Sequence, residues 1–367
     1  MSKSFLAGLC KSLGALASLL LPFSLSAATP PGLLDNDHAS VRAVMAVQHE
    51  VTAGWMQQPE VLGTAIGVDA AGTPSLVVYI DRDADNAADV ARSFPAKARG
   101  VGVRVELTDK FRAMARPGGG GGGVSHTARQ TPPIQLGTSG GWAKDLANGY
   151  CCGGTLGSLV LIGGQQHILS NYHVLEADIV SGGNGTVATT GDSVIQPGLI
   201  DINCTAANGQ SVATLVKKSA LPNSNVDCAV AKVTSGMVST TGAILEIGPI
   251  SSQTIGASIG QAVKKSGRTT GLTRSSISGL NATISVAYDN ECAGGAAFTK
   301  TFTGQIVISN KGSRFLAGGD SGSLMVEDTA TSPRAVGLLY AGSSSTAIAN
   351  PIGHVLQFLG ATMVGTP

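Results

Sequence analysis

From about residue 150 to about residue 345 the sequence is almost entirely short apolar runs separated by turns. No other feature limits the possible folds as much. The runs include GSLVLI, HILSNY, SVATLVK, DCAVAKV, QAVKKS, NATISVAY, GQIVIS, SGSLMV and AVGLLY, and GGQQ, GGNG, PNSN, SGRTTG and AGGD punctuate them. Short apolar runs bounded by Gly, Asn, Asp and Ser read as strands, and so many in succession predict a barrel or a sandwich. The chain has 50 glycines and only 13% charged residues, which suits tight turns between buried strands. The end of the chain differs. Ile352, Val355, Leu356 and Leu359 fall at i, i+3, i+4 and i+7 behind Pro351, which predicts a short amphipathic C-terminal helix. His354 lies between those positions and reads as a surface residue.

The first 28 residues read as a signal peptide. Lys3 and Lys11 precede LGALASLLLPFSL and then SAA, and we place the cut after Ala28. That apolar stretch is short of the about 20 residues a membrane span needs, and no later segment is long and apolar enough. The expectation is a soluble protein, secreted or periplasmic, without stable membrane insertion. A formal net charge of +1 gives no basic field for nucleic acid. Export permits disulfides. Cys10 leaves with the signal; Cys151, Cys152, Cys204, Cys228 and Cys292 remain, an odd number, so one is left unpaired or pairs between chains. No cysteine and histidine spacing suits zinc, and no cofactor is expected.

Residues 35–57 predict a helix capped by Asp35 or Asp37, with Val41, Val44, Met45, Val51 and Trp55 near helical spacing. LGTAIGVD, PSLVVYID and GVGVRVELTD predict strands, with a polar, helix-permissive stretch at 83–92 before the last. This makes a small α+β N-terminal domain over 29–116. RPGGGGGGVSHTARQTPP follows. Six successive glycines, 118–123, cost too much entropy to order as helix or strand, and neither flank suits a phosphate loop. We take 117–133 as a linker and 134–367 as the main domain. The N-terminal domain is then either a pro-region released by a cut in the linker or a retained docking or oligomerisation domain.

GGDSGSLMV, residues 318–326, holds the candidate nucleophile, Ser321. Taken alone it reads as a glycine-serine turn. A serine hydroxyl needs a base, usually histidine. His38 and His49 lie in the predicted first helix, His126 in the linker and His354 in the last helix. His167 opens a strand. His173 comes where that strand ends and the chain turns, a place where reactive groups are displayed. A base needs an acid to hold its tautomer. Asp227 follows the turn PNSN and begins DCAVAKV, which anchors it beside a buried strand; its bland reading is a turn aspartate. The glycines two before and one after Ser321 allow a sharp turn that frees the amides of Gly319 and Ser321 for an oxyanion.

These residues resemble a known family. GGDSGSL, LSNYHVL and VDCAVAKV are similar to the serine, histidine and aspartate motifs of the chymotrypsin-like (trypsin-like) serine peptidases, in the order His, Asp, Ser with gaps of 54 and 94 residues. A narrower similarity, to bacterial peptidases related to the plant narrow-leaf protein, rests on GTLGSLV, KSGRTTGLT, GGDSGSL, AVGLLYAGS and IANPI, and upstream on GTAIGV, VVYID and GVRVELT. The resemblance implies two six-stranded antiparallel barrels with His173, Asp227 and Ser321 in the cleft between them, an exported serine endopeptidase, and a protein or peptide substrate. The alternative is a catalytically silent binding protein on the same fold. The specificity pocket is implied at 313–317 and 338–342, with Leu339, Tyr340, Ala341 and Gly342 as its wall. No acid lies there apart from Asp320, so small or apolar side chains are expected in preference to Lys or Arg. Tyr172 stands where the family has Ala. The family gives the acid before the serine a cationic partner, and the sequence does not reveal which group serves Asp320.

Overall fold

A computed structural model describes residues 34–113, 124–147, 150–176, 188–288, 298–310 and 314–367. Residues 1–28, expected to be a signal peptide, the glycine run, Cys292 and Ser313 lie outside the described residues. The first helix, α1 (Ala39–Trp55), starts later than the sequence suggests. The Asp35 carboxylate takes the amides of Asp37 and His38 in the turn before it, and the His38 ring, not an aspartate, accepts from the Ser40 amide. Three strands follow as expected, β1 (Val61–Val68), β2 (Pro74–Asp81) and β3 (Val101–Thr108), with α2 (Ala87–Ser93) between the last two. A short β4 (Phe111–Ala113) comes next.

The main region opens with β5 (Thr138–Trp142), β6 (Gly154–Leu156), β7 (Ser158–Ile162) and β8 (Gln165–Ser170). A single helical turn, α3 (Tyr172–Leu175), precedes β9 (Ser193–Gln196), β10 (Gln210–Val216) and β11 (Ala229–Val233). Neighbours pair in the order β6, β5, β9, β10, β11, β8, β7. β6 and β7 are two arms of one run bent at Gly157, so the path returns to its own start and closes a six-stranded antiparallel barrel. The bend sits tight against the serine motif. A Cβ on Gly157 would lie 2.0 Å from the Gly322 carbonyl oxygen.

A second barrel is built from β12 (Ala262–Gly267), β13 (Gly271–Tyr288), β14 (Phe298–Ser309), β15 (Leu324–Glu327), β16 (Ala335–Gly342) and β17 (Thr346–Pro351). The order β12, β15, β16, β17, β14, β13 closes through a β12–β13 pairing. The expected C-terminal helix is α4 (Ile352–Leu359), ended by Gly360 in the left-handed conformation, and β18 (Thr362–Met363) returns to pair with β7. His354 is exposed on α4. The fold is therefore mainly β, with two barrels and a terminal helix.

The N-terminal strands do not stand in a sheet of their own. β1 pairs antiparallel with the middle of β13, Leu280 opposite Ile66 and Thr283 opposite Thr64, and β2 and β3 continue outward from it. Val41, Val44, Ile66 and Leu76 share one apolar core with Ile259, Val263, Met325 and Leu339. Fully burying each such side chain stabilises by about 1.5–3 kcal/mol, so this contact is part of the second barrel's packing. His126, placed by the sequence in the linker, is buried. Its ring bonds the Gly137 carbonyl and the Glu246 carboxylate, both at 2.7 Å.

Candidate active site

Strand register brings histidine and aspartate together. β8 and β11 are antiparallel neighbours with Ser170 opposite Ala229, so the residues just after β8 meet those just before β11. The Asn171 side chain donates to the Asp227 carbonyl at 2.7 Å, the Tyr172 amide donates to Asp227 Oδ1 at 2.7 Å, and His173 Nδ1 lies 2.6 Å from Asp227 Oδ2. A carboxylate only accepts, so the neutral imidazole carries its proton on Nδ1 and keeps the Nε2 lone pair free. His173 Nε2 has no hydrogen-bond partner among the described residues. Asp227 is fully buried, and an unpaired charge there would be costly.

Two further groups hold the aspartate, and the sequence did not single them out. The Tyr288 hydroxyl, at the end of β13, donates to Asp227 Oδ2 at 2.7 Å, and the Asp227 amide donates to Asn350 Oδ1 at 2.8 Å. Burial first, and then the Asp227 charge, push the Tyr288 phenol well above its usual range, so it remains a donor. Its ring stacks on Phe298 with centroids 4.8 Å apart. The available signal was a tyrosine closing the apolar run NATISVAY, which says nothing about what lies across the barrel.

Ser321 sits in the loop between β14 and β15, at the face where the two barrels touch. Its carbonyl accepts from the Thr155 amide at 2.8 Å. A Cβ on Gly154 would stand 2.6 Å from Val174 Cγ2 and 2.9 Å from the Ser321 carbonyl oxygen, so β6 brings α3 and the serine loop to one spot. The Ser321 hydroxyl donates to the Tyr340 carbonyl at 3.2 Å, and Ser321 and His173 are 0% and 4% exposed. Gly319 and Gly322 have φ of +93° and +90°, a region that glycine alone enters cheaply. These two turns carry the loop past Ser321. Neither the Gly319 nor the Ser321 amide donates a hydrogen bond among the described residues, which leaves both free for an anion.

The partner of Asp320 is Lys265, within KSGRTTG. Its ammonium lies 3.3 Å from Asp320 Oδ2, and both side chains are 0% exposed. The same carboxylate accepts from the amides of Thr269 at 2.9 Å, Thr270 at 3.1 Å and Ala317 at 3.0 Å, and from the Thr270 hydroxyl at 2.7 Å. Burial pulls the Lys265 pKa below the usual lysine range and the Asp320 charge pushes it back. The loop carrying Ser321 is thus pinned by a cation from β12.

The residues expected to wall the pocket all lie on β16. Tyr340 packs its ring on Phe302 at 5.0 Å, and its hydroxyl has no partner among the described residues. Leu339 turns to the opposite side, into the core shared with Met325 and Ala347. Ala341 and Gly342 pair with β4, from the N-terminal part of the chain. Cys151 is bonded to Cys204, and Cys228, beside Asp227, is a buried free thiol. No helix among the described residues is long and apolar enough to cross a membrane.

A family model described as the Nal1 C-terminal domain matches residues 214–350. No curated protein matches the chain. Solved structures that resemble it include a glutamic acid specific serine protease, 18% identical over 63% of this chain and 100% of its own, with a TM-score of 0.41. Thermobifida fusca protease A is 20% identical over 63% of this chain and 98% of its own, also at 0.41. A chymotrypsin from Cellulomonas bogoriensis is 20% identical over 64% and 99%, at 0.37. At these scores the likeness carries no argument about chemistry.

Proposed function

We propose that the chain is an exported serine endopeptidase. Ser321 Oγ attacks the peptide carbonyl while His173 Nε2 takes its proton. The proton then passes to the departing amine, leaving an acyl group on Ser321. Water, deprotonated by the same nitrogen, releases the acid and restores the serine. Asp227 holds the imidazole and stabilises its charged form, and the Gly319 and Ser321 amides receive the oxyanion. The observation that carries this reading is the buried 2.6 Å bond from His173 Nδ1 to Asp227, with Nε2 left unspent. Labelling by a small fluorophosphonate tests it. The native protein should label and Ser321→Ala should not; labelling that survives Ser321→Ala rules the assignment out.

A second reading, a silent peptide binder on the same fold, is favoured by one feature. The serine hydroxyl bonds the Tyr340 carbonyl instead of the histidine. The same labelling decides between the two. For substrate, Asp320, the one acid within the residues expected to form the pocket, is committed to Lys265, and we assign a preference for small or apolar side chains. We also assign the N-terminal region to a retained part of the enzyme, because its strands and core are shared with the second barrel.

A further inference from the structure

A strand edge can pair with one strand at a time, and extended peptides bind proteins by adding to such edges. The edge of β16 nearest the candidate nucleophile is already filled from within the chain. β4 runs antiparallel to β16, with Arg112 opposite Gly342 and Ala113 opposite Ala341. The next residue along β16 is Tyr340, whose carbonyl holds the Ser321 hydroxyl. The strand therefore points at the serine. Its other edge pairs parallel with β13, Phe111 opposite Val286 and Arg112 opposite Ala287, so β4 plugs the gap between the two strands.

The approach to this strand is clipped down. Thr108 donates its hydroxyl to Ser343 Oγ at 2.7 Å, the Ser344 amide donates to both Asp109 oxygens at 3.1 Å, and Arg82 lies 3.3 Å from Asp109. Phe111 is fully buried, edge-on to Tyr79 at 5.5 Å. Beyond it the hold weakens. Arg112 is exposed and Ala113 half-buried, so the last two residues depend mainly on backbone pairing.

We propose that β4 is a built-in competitor for the peptide-accepting edge of β16, and that an extended peptide reaches Ser321 only when Arg112 and Ala113 lift away. The competition concerns binding; only its effect on cleavage rests on the function proposed above. Because β4 follows β3 directly, it stays tethered after release, and a tethered segment re-pairs at an effective concentration of about millimolar. The block is therefore reversible and never lost by dilution.

The test uses the full chain carrying Ser321→Ala and reads anisotropy of a fluorescein-labelled peptide with the sequence of residues 108–113, TDKFRA. Directly opposed residues of an antiparallel pair lie about 4.5–5.5 Å apart, within disulfide reach, so Ala113→Cys with Ala341→Cys can be locked by oxidation. Oxidation should weaken peptide binding at least tenfold, and reductant should restore the affinity of the parent measured in the same reductant. Ala113→Pro cannot donate a ladder hydrogen bond and should bind at least tenfold more tightly than the parent. Binding by the oxidised protein equal to that of the parent overturns the proposal. So does failure of every form, Ala113→Pro included, to bind. With Ser321 and Ala341 both intact, the small fluorophosphonate should label the protein with and without Ala113→Pro alike. Absence of labelling in all forms, with the peptide competition intact, removes the catalytic reading and leaves the strand competition standing.

Discussion

Lys265→Met removes the cation from beneath the serine loop while roughly keeping the side chain's bulk. Asp320 then keeps four donors, the amides of Thr269, Thr270 and Ala317 and the Thr270 hydroxyl. It loses the only full charge facing it among the described residues. Breaking a buried pair from one side typically costs about 3–5 kcal/mol, because the remaining charge is uncompensated. The four surviving dipoles put the expected loss near the low end, about 3 kcal/mol. The Gly271 carbonyl, which accepts from the ammonium at 3.0 Å, is also left short. Urea unfolding followed by tryptophan fluorescence measures the loss, with Lys265→Met/Asp320→Asn completing the cycle. The double variant should recover part of the stability, since neither charge then remains. Activity should suffer more than stability alone implies. If the loop relaxes, the Gly319 and Ser321 amides leave their positions, and each oxyanion donor is worth about 10²–10³ in rate. A Lys265→Met protein that loses under about 1 kcal/mol and hydrolyses peptides normally would refute the idea that this cation sets the loop.

Tyr288→Phe takes one donor from Asp227 and should lower kcat about tenfold with little change in KM, from loss of a charge-assisted hydrogen bond worth about 1.5–3 kcal/mol; steady-state kinetics on a peptide ester reads it. Burial raises the Tyr288 and Tyr340 phenols in the folded state, so their contribution to stability is full below about pH 10 and is lost as pH rises above it. Base-induced unfolding, followed by circular dichroism, should begin above about pH 10 and move higher in Tyr288→Phe. Gly157→Ala pushes a methyl against the Gly322 carbonyl and should cost about 1–3 kcal/mol together with most fluorophosphonate labelling. Peptides ending in Leu, Phe or Ala at the cut should be hydrolysed faster than those ending in Arg or Lys; the reverse order in a chromogenic panel would contradict the assigned pocket.

The sequence carried the strands well because each is a local pattern. Turn residues and short apolar runs such as AVGLLY mark β16 without knowledge of its partners. His173 and Asp227 were legible for a related reason. Each lies at the end of a recognisable strand, and their contact needs only that β8 and β11 be neighbours. Lys265 was hidden because a lysine in QAVKKS looks like a solvated residue, and only closure of the second barrel turns it inward. Tyr288 and Asn350 were hidden likewise, since both reach Asp227 across the barrel. The helix start was misplaced because Asp35 spends its carboxylate on the preceding turn, and a histidine caps instead. The largest gap concerns β1. Its alternation predicted a strand and placed it in a separate small unit, but no local signal says that Ile66 lies opposite Leu280.

That shared sheet has a consequence for any protease that meets this protein. Hydrolysis of a bond between Ala113 and Val124 would divide the covalent chain, yet the N-terminal fragment would remain hydrogen-bonded along β13 and packed in the core through Val41, Val44, Ile66 and Leu76. The product would be a two-chain molecule, two bands on a denaturing gel and one species by gel filtration. Separating the fragments would require unfolding the second barrel, so a cut there changes the covalent map without changing what travels together.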